Sequence, residues 1–141
     1  TLSLHDALPI SSWFANSLYP DRMPANFVRK AKDELDGVKI IDKSNVDRYL
    51  ESFRAIQLRE SKKTAVNNEY PHYNFGESKG LEFQRVLIYP TQPMWDWIID
   101  NNSSLKEQSR ARLYVAITRA KDSVVIVRKD ARDCSLPVVK L

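Results

Sequence analysis

Arg85-Val86-Leu87-Ile88-Tyr89 is a nearly continuous apolar run of strand length, and Val124-Val125-Ile126-Val127, inside Ser123 to Arg128, repeats it. A strand wetted on one side alternates apolar and polar residues, so a run apolar at every position belongs to a strand buried on both faces. That is the condition of a parallel sheet covered by helices. Downstream of the first run, Pro93 stands at a helix start leading Met94 to Ile99, and Leu105 to Ala120 reads as the longest helical segment. Upstream, Val38-Lys39-Ile40-Ile41 follows Gly37 as a short β-branched strand. Ser44-Asn45-Val46-Asp47 then opens a helix, with Ser44 placed to cap it and Val46, Tyr49, Leu50 and Phe53 on one face. Ala55-Ile56-Gln57-Leu58-Arg59 is a further strand, and Glu60 to Asn68 a polar connection. Tyr70 to Phe75 reads as a strand that Pro71 confines to an edge or entry position, and Gly76 to Phe83 as a turn. Trp13 to Tyr19 reads as the tail of a helix that Pro20 stops, and Pro137 limits regular structure in the tail 131–141. Strand and helix in alternation predict an α/β domain with about five mostly parallel strands joined by right-handed crossovers.

The composition fits one such domain. The chain has 141 residues, 43% of them hydrophobic, 28% charged and 3 of them Gly, which excludes a disordered, collagen-like or disulfide-stapled protein. No apolar stretch approaches the roughly 18 residues of a membrane span. One cysteine, Cys134, closes no intramolecular disulfide, so a reduced, cytoplasmic setting is the expectation. The 22 Lys+Arg against 18 Asp+Glu leave a net charge of +4, which favours a polyanionic partner only where the basic residues cluster. His5 and His72 lie far apart without carboxylates or cysteines at ligand spacing, so no metal site is expected. Thr1 to Ile10 is, codon for codon, one reading frame of a common sequencing adapter, and there is no initiator Met. These residues are therefore expected to be an artefact outside the fold, and residues 11–130 a domain cut from a longer protein.

Two motifs carry chemistry. Glu77-Ser78-Lys79-Gly80-Leu81-Glu82-Phe83 joins two strands and is expected at the carboxyl end of the sheet, where open α/β folds place ligands. Gly80 would let the backbone approach a ligand closely and Glu82 could accept a ribose hydroxyl; the plainer reading is a turn with flanking charges. The second motif is Leu113-Tyr114-Val115-Ala116-Ile117-Thr118-Arg119-Ala120-Lys121, with Arg119 in the last turn of the long helix. A cation there complements the helix dipole, by about 0.3–1 kcal/mol. Its sharper role is an arginine finger that neutralises charge on a transferring phosphate, worth roughly three to five orders of magnitude in rate.

Together, Ser78-Lys79-Gly80-Leu81-Glu82-Phe83 and Tyr114-Val115-Ala116-Ile117-Thr118-Arg119-Ala120 resemble motifs V and VI of the UvrD/Rep family of superfamily 1 DNA helicases. Trp13 to Pro20 resembles the helix after that family's motif IV, and Leu58-Arg59-Glu60-Ser61-Lys62-Lys63-Thr64 the segment after the next strand, so the likeness spans Ser11 to Arg128. The resemblance implies the second RecA-like motor domain, three-layered, of an ATP-dependent helicase translocating 3′ to 5′. It implies Arg119 as the catalytic contact to the γ-phosphate, with Lys79, Gly80 and Glu82 bordering the ATP. The Mg2+ would be held by an absent N-terminal RecA-like domain carrying the P-loop, and single-stranded or partly duplex DNA would be the other partner. Where the family has Thr-Leu-His-Ser-Ala, this chain has Asn74-Phe75-Gly76-Glu77-Ser78, so Asn74, Glu77 and Ser78 occupy the positions nearest the strand. Between Leu58 and Lys79 the large accessory insertion of the long relatives is missing, as in a compact subgroup.

Other residues admit two readings. Lys62 and Lys63, with Arg54 and Arg59, track phosphates or form a solvated face. Trp95 and Trp97 stack on bases or fill the core. A non-catalytic protein-binding module, with Arg119 only a helix cap, is the alternative from another class; a related ATPase acting on RNA or within a helicase–nuclease complex is a third.

Overall fold

A computed structural model describes Leu18, residues 37–78 and residues 80–141. Thr1 to Ile10, most of the helix expected over Trp13 to Tyr19, and Lys79 lie outside the described residues; Leu18 is helical and buried. Five strands form one sheet: β1 (Gly37–Ile41), β2 (Ile56–Arg59), β3 (His72–Asn74), β4 (Phe83–Ile88) and β5 (Ala120–Val127). Three helices accompany them: α1 (Val46–Phe53), α2 (Gln92–Ile99) and α3 (Glu107–Thr118). The spatial order is β1-β5-β4-β2-β3, and every neighbouring pair is parallel. The expected parallel α/β sheet is therefore present.

The two apolar runs occupy the centre, as their lack of alternation requires. In register, Ile40, Ile126, Ile88 and Leu58 line up across four strands, and Val38, Val124 and Val86 form a second row. Both rows face a core completed by Phe75, Met94, Trp95, Leu113 and Ile117 under α2 and α3. The alternate residues Leu87, Val125 and Val127 face Tyr49 and Leu50 of α1. Helices thus cover both faces, which makes the three layers expected of a RecA-like domain.

Several local expectations change. Ser44 caps nothing: Lys43–Asn45 forms a 3-10 turn and α1 starts at Val46, with Asn45 at the cap position making no side-chain cap bond. The cap of α2 is Thr91, whose Oγ1 accepts from the Met94 amide at 3.4 Å, with proline in the first turn as expected. Trp95 and Trp97 are core residues, 0% and 6% exposed, so neither stacks on bases. The start of the segment read as turn is a 3-10 turn, Phe75–Ser78. The tail does more than end the chain: Ile40 N–H donates to the Pro137 carbonyl and Val139 N–H to the Ile40 carbonyl. It closes the β1 edge, with Leu136 and Val139 buried, and so removes an exposed strand edge.

Candidate functional site

The largest correction concerns the first motif. Because β3 and β4 are parallel and flank β2, the chain leaves β3 at the carboxyl end of the sheet and must re-enter at the amino end. The Phe75–Ser78 turn carries it across, over the face covered by α3. Asn74 and Glu77 therefore lie at the carboxyl end, while Gly80 and Glu82 lie at the amino end, not at the carboxyl end where the whole motif was expected. With β4 spanning six residues, the two ends are about 20 Å apart.

At the amino end the two motifs meet. Arg119 follows the last turn of α3 as its C-cap, and its amide donates to the Val115 and Ala116 carbonyls at 3.1 and 3.3 Å. Its own carbonyl accepts the Phe83 amide at 2.7 Å, joining the helix end to the start of β4. The guanidinium is held by neutral acceptors only: Nε donates to the Val115 carbonyl (3.3 Å), Nη1 to the Leu81 carbonyl (3.3 Å) and Nη2 to Thr118 Oγ1 (3.2 Å). Among the described residues no carboxylate pairs with it, so its charge is positioned but not cancelled. Thr118 in turn donates its hydroxyl to the Val115 carbonyl at 2.9 Å.

Gly80 has φ +85, and the Leu81 amide donates to the Ser78 carbonyl at 3.0 Å, closing a turn whose third residue must be left-handed. Glycine meets that requirement without strain, and this conformation, more than close approach to a ligand, explains the residue type. Open space surrounds the position a Cβ would take. Glu82 is exposed and pairs with Lys121 at 3.6 Å, beside a cleft of 350 Å³ that Arg85 also lines. The exposed carboxylate of Glu82 could accept from a hydroxyl, and the Arg119 guanidinium, held by neutral acceptors only, keeps its charge for an anion.

At the carboxyl end the expected strand contacts are mostly occupied. The Asn74 amide donates to Glu77 Oε1 (2.8 Å), and Asn74 Oδ1 accepts from Arg59 Nε (3.3 Å). Ser78 is buried with its hydroxyl donated to the Phe75 carbonyl at 2.8 Å, so it shapes the turn and offers nothing to a strand. Lys62 and Lys63 are exposed, on a loop anchored from below by Gln57. Gln57 is fully buried: Nε2 donates to the Asn67 carbonyl (2.8 Å), and Oε1 accepts from the Asn67 amide (3.0 Å) and the Tyr89 hydroxyl (2.6 Å). Burial, then the charge of Asp47, pushes the Tyr89 phenol up to about 12. Among the described residues no His, Cys, Asp and Glu gather as a metal site, and no helix is long and apolar enough to cross a membrane. Sequence reasoning did not find Thr118 or the Leu81 carbonyl as partners of Arg119; only adjacency in the motif hinted at the first.

The molecule is a three-layer parallel α/β domain that presents Arg119 and the exposed Glu82 from neighbouring strand starts. The UvrD-like helicase C-terminal domain family matches residues 25–130, and the chain belongs to that family. The comparison with curated proteins returned no match.

Proposed function

We propose that this domain is the second motor domain of an ATP-dependent DNA helicase that translocates 3′ to 5′. ATP lies between it and an N-terminal RecA-like domain of the same polypeptide, in the cytoplasm. The observation that carries the reading is the Arg119 guanidinium, set at the sheet edge by two carbonyls and a hydroxyl with no described counter-charge. Such a donor array costs no reorganisation when charge develops on a transferring phosphoryl group. Lys79, Gly80 and Glu82 border the nucleotide, Glu82 at the ribose. Mg2+, which neutralises the phosphates when bound, is assigned to the P-loop domain, since among the described residues no carboxylates gather to hold it. Closure and opening of the cleft alternate the grip on single-stranded DNA at the opposite end of the sheet, where Lys62 and Lys63 lie with Asn74 and Glu77.

In a protein expressed from the full reading frame, Arg119→Ala lowers DNA-stimulated ATP turnover by about two or more orders of magnitude with nucleotide affinity largely kept. Normal hydrolysis by that variant overturns the reading. The 141-residue chain alone holds no Gly-x-x-x-x-Gly-Lys-Ser/Thr and is expected to turn over no ATP.

A further inference from the structure

Three clefts open at the carboxyl end of the sheet: one of 530 Å³ lined by Glu60, Asp96 and Lys106, and two that lie side by side. The larger, 610 Å³, lies between α1 and the loop 65–70 and carries Asp47, Glu51 and Glu69. The smaller, 400 Å³, is lined by Lys43, Lys63, Arg128 and Lys129, with Tyr89 and Pro90 among its other walls. These cations come from three separate stretches of the sequence. They converge because they follow the carboxyl ends of three parallel strands: Lys43 after β1, Lys63 after β2, and Arg128 and Lys129 after β5. Arg128 is partly neutralised, its Nε 3.1 Å from Asp42 Oδ1. Lys43, Lys63 and Lys129 are exposed, and among the described residues no carboxylate pairs with them. Four basic side chains surround one concavity that no carboxylate lines, although Lys43 also borders the acidic cleft and Arg128 is paired with Asp42; this is the sign of surface a polyanion would follow.

We infer that the phosphodiester backbone of a single strand runs through this cleft, held by Lys43 and Lys129 as well as Lys63, and so passes over β2, β4, β5 and β1 rather than only over the β3 edge. The inference rests on the strand-binding reading above and assigns it two residues, Lys43 and Lys129, that lie outside both motifs. Three unpaired lysines neutralising phosphates release about as many counterions, which gives a slope of log affinity on log salt near −2 for a single strand.

The test is fluorescence anisotropy of a labelled oligo-dT strand with the 141-residue chain at several salt concentrations. The Lys43→Gln/Lys129→Gln double variant is expected to bind more than about tenfold more weakly at 50 mM salt, with the slope shallower by about 1.4. Lys121→Gln, a charge removal at the opposite end of the sheet, binds as the unaltered chain does. A double variant with unchanged affinity and slope overturns the cleft while leaving the strand-binding reading in place. A chain that binds no strand at low salt overturns both. Equal weakening by Lys121→Gln means a general charge effect, and saturable binding of inorganic phosphate without any strand binding means a small-anion site; either overturns the path.

Discussion

At the residue scale, the same atoms serve structure and chemistry. Arg119 closes α3, anchors the start of β4 through its carbonyl, and still presents a guanidinium whose partners are all neutral. Tyr89 shows the opposite case, a titratable group whose proton is retained by burial and then by the negative charge of Asp47. Its folded-state pKa, about 12, exceeds the unfolded value of about 10, so the folded state holds this proton more tightly. The resulting stability is fully present below pH 10 and is lost as pH rises through 12. Denaturant titrations across that range are expected to show Tyr89→Phe losing less stability with rising pH than the unaltered chain; parallel losses would mean that Tyr89 ionises as freely in the fold as outside it.

At the element scale, β3 is a three-residue edge strand, and the long loop before it has no helix to hold it. Gln57 does that work from the floor of the sheet, satisfying both backbone groups of Asn67 and the Tyr89 hydroxyl. Replacing it with leucine of similar size leaves those buried groups without partners, at a cost of about 1–3 kcal/mol. The expected outcome of Gln57→Leu is faster amide hydrogen exchange at Asn67 and Tyr70, with β4 and β5 protected as before. Exchange unchanged at Asn67 would show that the loop is held by other means.

At the scale of the whole molecule, the two apolar layers are not separable, because β4 and β5 contribute alternate residues to each. Unfolding is therefore expected to be a single transition, with far-UV circular dichroism and tryptophan fluorescence coincident in denaturant. Two resolved transitions would show that the layer under α1 and the layer under α2 and α3 melt independently. The same sheet carries the Arg119 edge at one end and the basic cleft at the other.

Much of this was legible in the chain itself. The unbroken apolar runs at Val86 and Val124 require burial on both faces, and burial on both faces requires parallel strands under helices. The pairing of Lys79-Gly80-Leu81-Glu82-Phe83 with Thr118-Arg119-Ala120 by itself points to the helicase family. The first motif, expected wholly at the carboxyl end, is split between the two ends, because β3 and β4 run parallel and the segment that joins them must cross to the amino end. The chain alone does not show that Ser78 is buried, that Thr118 holds Arg119, or that Lys43, Lys63, Arg128 and Lys129 meet. Lys43, Lys63 and the Arg128-Lys129 pair lie far apart in sequence, and only the stacking of parallel strands, which brings every strand's carboxyl end to one edge, makes them neighbours.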